Sequence, residues 1–97
     1  MAFRHVVLFR IHDDVSDDRV SEAMERLRSL ADLPGMTALA VARSLDERKG
    51  RILIEDATFS DVATFAAFRG SPDHLRVGTE MAAISDWWVG DYEDGAR

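Results

Sequence analysis

The stretch SPDHLRVG, residues 71–78, places a histidine at the beginning of a predicted helix. Ser71 is a typical N-cap and Pro72 suits the first helical position, so His74 falls in the first turn. The positive end of a helix disfavours imidazolium and should lower the pKa of His74. A neutral imidazole near pH 7 is what a general base requires. The alternative is a histidine that only caps or packs at a loop corner.

Two more polar residues lie in apolar strands. His5 shares one face of a predicted strand with apolar neighbours, and Glu55 does the same on another strand. A buried carboxylate needs a partner, and His5 and Arg51 are the candidates for Glu55. The alternatives are a His5 satisfied by one backbone carbonyl and a Glu55 at the strand end, in water.

The remaining polar clusters predict no further chemistry. The acidic segment from His12 to Asp18 could hold a cation, but carboxylates at a helix start usually cap it, so no metal site is expected. The 97 residues include no cysteine, which excludes disulfides and thiol chemistry. No glycine-rich phosphate loop, nucleophile elbow or zinc ligand set is present, and we expect no cofactor.

The elements that must position these residues follow from periodicity and turn residues. Helices are predicted after Ser16, after Ser60 and from Ser71 toward Ala83. The strands are predicted at 3–11, 36–45, 51–59 and 84–92. The order β-α-β-β-α-β predicts one α+β domain over residues 1–97, a ferredoxin-like protomer with a four-stranded antiparallel sheet and helices on one face. The apolar stripe of the first helix comprises Val20, Ala23, Met24, Leu27, Leu30 and Ala31.

The strands also predict the assembly. The runs HVVLF and RILI do not alternate, and adjacent Trp87 and Trp88 must point to opposite faces of a strand. Helices cover only one face, so we expect a homodimer in which two sheets form an eight-stranded α+β barrel. The alternative is a Trp88 that lies flat on the surface. The expected interface comprises Val6, Leu8, Ile52, Ile54 and Trp88.

Two arginines share the expected interface side of the first strand. Arg4 and Arg10 lie at its two ends. Because a buried guanidinium needs a carboxylate, we expect each to pair with an acidic residue, with Asp56 and Asp91 as first candidates.

The charge and composition of the chain exclude several classes of binding partner. A net charge of −6 argues against nucleic acid and against an anionic membrane surface. The apolar run at the start is short and contains Arg4, His5 and Arg10, unlike a signal peptide, and no window is long enough to span a membrane. The lack of cysteine fits a reducing cytoplasm, where we place the protein.

Several segments together resemble one family. They are FRHVVLFRI, LPGMTAL, ATFSDVATFAAFRGSPDHLRVG and WWVGDYE, spread over nearly the whole chain. With this element order, they are similar to the stress-responsive A/B barrel domain family, dimeric α+β barrels with a ferredoxin-like protomer.

The resemblance implies a site. A plant member of the family cyclises a polyketide without a cofactor, and its two histidines match His5 and His74. Its pocket tyrosine falls on Phe68, which removes a phenol that could orient a substrate carbonyl. We expect a mostly apolar cleft between sheet and helices. The expected ligand-binding residues are Val7, Phe9, Leu27, Glu55, Phe68, Ile84 and Trp87.

Three functions remain open. The first is a dimeric protein of unestablished activity that binds a small apolar ligand in this cleft. The second is a cofactor-free acid–base enzyme with His74 as base and His5 as its partner. The third, by fold analogy alone, is a cofactor-independent monooxygenase.

Overall fold

The structure, a computed structural model, describes residues 1–95. In chain order the elements are β1 (Phe3–Ile11), α1 (Asp17–Ser29), a 3-10 turn (Leu30–Asp32), β2 (Met36–Arg43), β3 (Ile52–Phe59), α2 (Val62–Arg69), α3 (Pro72–Ala82) and β4 (Ser85–Glu93).

The strands form one sheet in the order β2-β3-β1-β4, and every neighbouring pair is antiparallel. This confirms the predicted α+β class and the ferredoxin-like arrangement. The central strand β1 has β3 on one side and β4 on the other. A side chain on β1 can therefore meet residues from both neighbours, which matters for His5.

One face of the sheet is buried under the helices. The odd-numbered residues of β1 are all buried, while its even-numbered residues retain exposure. Burial of a large apolar side chain contributes about 1.5–3 kcal/mol, so this layer supplies most of the stability. The helices contribute Val20, Ala23, Met24 and Leu27 from α1, Phe65 and Phe68 from α2, and Val77 and Met81 from α3.

The helix starts test the predicted caps. The side chains of Ser16 and Ser71 accept backbone N–H groups as predicted. The prediction for α2 is wrong, because Asp61 rather than Ser60 is its N-cap and accepts the Thr64 N–H at 2.8 Å. Ala31 is exposed rather than part of the buried stripe, because the α-helix has already given way to the 3-10 turn there.

The opposite face of the sheet carries apolar side chains without a cover in the protomer. Trp88 pairs with Leu8 on this face, whereas Trp87 pairs with Phe9 on the helix-facing side, so the two tryptophans point in opposite directions as predicted. Leu8 is 40% exposed and Trp88 is 60% exposed. No helix within residues 1–95 has the length and apolar character needed to cross a membrane.

The two arginines have different acidic partners. Arg4 donates to Asp56 at 2.7 Å, which confirms the first expected pair. Arg10 also pairs with an acidic residue as expected, since it lies 3.4 Å from Asp13, and it donates to the Lys49 carbonyl at 2.8 Å. The prediction for Asp91 is wrong because Asp91 lies opposite His5 on the helix-facing side.

Candidate functional site

A cavity of about 520 Å³ lies between the helix-facing side of the sheet and the helices. It contains seven of the nine residues predicted for the site: His5, Val7, Phe9, Leu27, Glu55, His74 and Trp87. Phe68 and Ile84 are absent from its lining and lie in the core instead. The remaining lining residues are Leu30, Phe65, Arg69, Leu75, Val77, Gly78, Thr79, Met81, Ala82, Val89 and Asp91.

His5 is fixed by its neighbours on both sides. Its Nδ1 lies 2.7 Å from Asp91 Oδ1, because the strand register places the two residues directly opposite each other. Since an ionised carboxylate only accepts, Nδ1 is the donor in this bond when Asp91 is charged. The ring also packs against Phe65, with centroids 4.8 Å apart. His5 is 6% exposed, and these contacts hold its ring in one orientation at the cavity wall.

Glu55 is a carboxylate on an otherwise apolar face. It is 3% exposed, which contradicts the alternative of a strand end in water. Its Oε2 lies 3.7 Å from His5 Nε2, and within residues 1–95 this buried oxygen has no hydrogen-bond partner. Burial raises the pKa of Glu55, the charge of Asp91 raises it further, and His5 lowers it. Arg51 is not its partner, since Arg51 binds Asp17 and backbone carbonyls.

His74 reaches the cavity from the first turn of α3. Its Nδ1 lies 3.0 Å from the Arg69 carbonyl oxygen. A carbonyl can only accept, so Nδ1 carries the proton and the lone pair of the neutral ring is on Nε2. Burial lowers the pKa of His74, the hydrogen bond to the Arg69 carbonyl partly opposes this, and the charges of His5 and the Arg69 guanidinium lower it further. The direction agrees with the sequence argument, but burial rather than the helix end is the main cause.

The ring of Phe68 packs against the imidazole of His74. It is buried, and its ring centroid lies 4.8 Å from that of His74 and 4.9 Å from that of Phe59. A phenol in this place would therefore sit next to the imidazole rather than in the open part of the cavity.

Among the lining residues not predicted for the site, Asp91, Gly78 and Arg69 differ from the apolar majority. Asp91 has the same parity as Trp87 and Val89 on β4, and that signal alone assigns it to the helix-facing side. Gly78 lies in the middle of α3, where glycine is unfavourable by about 1 kcal/mol relative to alanine. A Cβ added at Gly78 would meet nothing within 4 Å, so packing does not require a glycine there. Nothing in the sequence around Arg69 predicts that it lines the cavity.

The acidic segment between β1 and α1 takes part in ion pairs outside the cavity. Asp17 pairs with Arg51 at 3.1 Å, and His12 lies 3.4 Å from Asp86. Within residues 1–95, no three histidine or acidic side chains group together as metal ligands.

The sequence also matches a known protein family. The profile of the Stress responsive A/B Barrel Domain matches residues 3–94. The chain belongs to this family. The match covers both cavity histidines, Glu55 and Asp91, so the whole cavity lies within the family domain. No curated protein matches the chain.

Solved structures with a similar fold differ in their described activities. A dimeric ferredoxin-like protein of unknown function from Thermobifida fusca is 25% identical over 95% of this chain and 90% of its own, with a TM-score of 0.84. A hydroxynitrile lyase from Passiflora edulis is 23% identical over 99% and 96%, with a TM-score of 0.85. A cofactor-independent oxygenase from Streptomyces nogalater is 20% identical over 99% and 95%, with a TM-score of 0.81. The fold therefore does not select the reaction, and the activity of this A/B barrel protein is not established.

Proposed function

We propose that this A/B barrel protein is a cofactor-free acid–base enzyme acting on a small, mostly apolar molecule. The observation that carries the proposal is one cavity that holds two histidines. His74 donates from Nδ1 to the Arg69 carbonyl, and its Nε2 has no hydrogen-bond partner within residues 1–95, while His5 lies between two carboxylates. A mostly apolar cavity with a few convergent polar groups is the usual form of a small-molecule site. The volume of about 520 Å³ falls within the range of such sites.

His74 is the base in this proposal. Its Nε2 carries the lone pair, and the lowered pKa keeps the ring neutral at pH 7, as a base requires. His5 and its carboxylates form the acidic side of the cavity.

A direct test uses nitrobenzisoxazole, an apolar probe that needs only a base. Removal of its C–H proton forms a nitrile, breaks the N–O bond and releases a coloured phenolate. We expect the wild-type protein to accelerate this reaction and His74→Gln to lose most of the rate. The matched control is His12→Gln, since His12 is a surface histidine outside the cavity. Equal rates in wild type and His74→Gln would contradict the proposal.

We also propose a homodimer joined through the uncovered sheet face. The support is the exposed apolar and aromatic side chains on this face, among them Leu8, Trp88 and Tyr92, which are 40%, 60% and 47% exposed in the protomer. Exposed patches of this kind commonly mark interfaces. The Thermobifida fusca relative is described as dimeric, which supports the same assembly here. The sheets of two copies would then form the barrel.

We propose a cytoplasmic location. The support is the absence of cysteine from the 97 residues, which suits a reducing compartment. Fractionation of cells that produce the untagged protein tests this.

A further inference from the structure

Arg69 differs from the other arginines of the structure. Nine of the ten arginines in residues 1–95 pair with a carboxylate, and Arg69 is the exception. The chain has 18 acidic residues and only 12 lysines and arginines, so carboxylates are not in short supply. The missing partner therefore reflects where the side chain lies and not the composition of the chain.

Arg69 lies between two cavities. It is the last residue of α2, and it lines both the cavity of about 520 Å³ that holds the histidines and a second, more open cavity of about 700 Å³. The two cavities also share Phe65 and Asp91, so they adjoin. The rest of the second lining is apolar side chains and one glycine: Phe3, Val62, Ala66 and Gly70. A ligand that extends from the histidines toward the second cavity passes Arg69.

The charge of Arg69 reaches the site. Burial is the main cause of the lowered pKa of His74, and the Arg69 guanidinium lowers that pKa further. The acidic residues of the lining are Glu55, which lies 3.7 Å from His5, and Asp91, which bonds to His5 at 2.7 Å. Neither pairs with Arg69, which is the one lysine or arginine in either lining. A carboxylate brought by a ligand would meet a guanidinium that no acidic side chain in residues 1–95 already binds.

We propose that Arg69 binds a carboxylate of the ligand, so that the ligand of this site is an apolar carboxylate and not a neutral molecule. The inference rests on the proposed function, because it takes the same cavity as the ligand site and adds the charge of the ligand. The planar guanidinium matches a carboxylate through two parallel N–H···O bonds. The apolar body of the ligand then lies among the apolar side chains that line the cavity with the two histidines.

A structural role for Arg69 is the competing explanation. A cation in the last turn of a helix is stabilised by the helix dipole, and Arg69 is the basic residue in the last turn of α2. This role requires a positive charge at the helix end but no ligand. It predicts that Arg69 contributes to stability and has no influence on the choice between charged and neutral ligands.

The test uses two ligands of the same shape. 2-Naphthoate carries a carboxylate on an apolar double ring, and 2-naphthamide replaces the carboxylate by a neutral amide of nearly the same size. Titration calorimetry at about pH 8 gives the dissociation constant of each ligand. Since the pKa of His74 is lowered, its imidazole is neutral at this pH and does not itself attract the anion.

We expect the wild-type protein to bind 2-naphthoate about tenfold more tightly than 2-naphthamide, because hydrogen bonds to charged groups are the stronger ones. Arg69→Gln should abolish this preference, and Arg69→Lys, which keeps the charge but loses the planar fork, should retain part of it. Arg76→Gln is the matched control. It removes one positive charge from α3 outside both linings, so it should leave the preference intact.

Proton NMR locates the bound carboxylate. The imidazole signals of His74 should shift when 2-naphthoate is added, because His74 and Arg69 line the same cavity. Those of His12, a surface histidine outside the cavity, should not shift. A preference for 2-naphthoate without a shift of the His74 signals would mean that the carboxylate binds elsewhere, and it would overturn the assignment.

The outcomes keep the two proposals apart. Failure of the wild-type protein to bind 2-naphthoate, equal affinities for the two ligands, or a preference that survives in Arg69→Gln overturns the carboxylate assignment. Nitrobenzisoxazole is uncharged, so its turnover tests the base His74 without a carboxylate. Equal nitrobenzisoxazole rates in wild type and His74→Gln overturn the proposed function, while calorimetry still measures whether Arg69 selects a carboxylate.

Discussion

Replacement of Glu55 by methionine should stabilise the protein. The Glu55→Met change removes a carboxylate that is 3% exposed and whose Oε2 has no hydrogen-bond partner within residues 1–95. Methionine is unbranched and of similar length, so it fills the same space. Leaving a buried polar group unsatisfied costs about 1–3 kcal/mol, and this is the gain expected. We expect the lower part of that range, because His5 partly offsets the cost at 3.7 Å.

The stability gained by Glu55→Met should increase with rising pH. Burial raises the pKa of Glu55 above its ordinary value of 4.5, so the folded protein binds this proton more tightly than the unfolded chain. The resulting stabilisation of the wild type is complete below about pH 4.5 and is lost as pH rises through the folded-state pKa. The advantage of Glu55→Met is therefore smallest in acid and grows with rising pH.

Thermal denaturation followed by circular dichroism measures this effect. In a domain of this size, 1 kcal/mol corresponds to about 4–8 °C, so the smallest expected shift is about 4 °C. Protein concentration must be held constant, because a dimer makes the melting temperature depend on it. Glu47→Met, at an exposed position, is the control and should change stability by less than about 0.5 kcal/mol. A Glu55→Met protein that melts below wild type at pH 8 would show that Glu55 supports the fold, and the reasoning above would be wrong.

Three further predictions concern other parts of the molecule. NMR titration of the imidazole signals should give His74 a pKa below that of histidine in an unstructured peptide, and a value above it would contradict the burial argument. Trp88→Glu should convert the proposed dimer to a monomer in light scattering, while Leu45→Glu, at a fully exposed loop position, should not; a dimeric Trp88→Glu protein would exclude the sheet-face interface. Gly78→Ala should raise the free energy of unfolding by about 1 kcal/mol and weaken turnover of nitrobenzisoxazole, because the added methyl group enters the cavity; unchanged turnover would mean that no ligand approaches α3 there.

Local sequence chemistry was sufficient for most of the fold. Ser16 and Ser71 cap their helices because their side chains compete well for free N–H groups, and this choice depends on a few neighbouring residues. Ser60 and Asp61 are adjacent and both are good caps, so sequence alone does not distinguish them. The backbone decides, since Asp61 is extended and its carboxylate reaches the Thr64 N–H.

The positions of the site residues relative to one another depend on strand register, which the sequence of a single strand does not determine. Parity assigns Asp91 to the helix-facing side, but only the register of β4 against β1 places it opposite His5. These strands are separated by almost the whole chain, so no turn geometry fixes that register locally. Phe68 and Ile84 show a second limit of prediction from parity. Both side chains face inward, but only the packing of the folded chain determines that they lie in the core and do not line the cavity.

Two departures from local preference coincide in this molecule. Glu55 is a carboxylate in the middle of an apolar strand face, and Gly78 is a glycine in the middle of a helix with open space beside it. Each lowers stability, and neither is required by a turn or a close contact. They come from different elements, yet both line the same cavity with His5 and His74. Conflicts between local preference and global structure are expected to gather at functional sites, and packing needs alone give no reason for these two to meet. Their meeting supports a ligand that needs open space beside α3 and a polar group on the sheet.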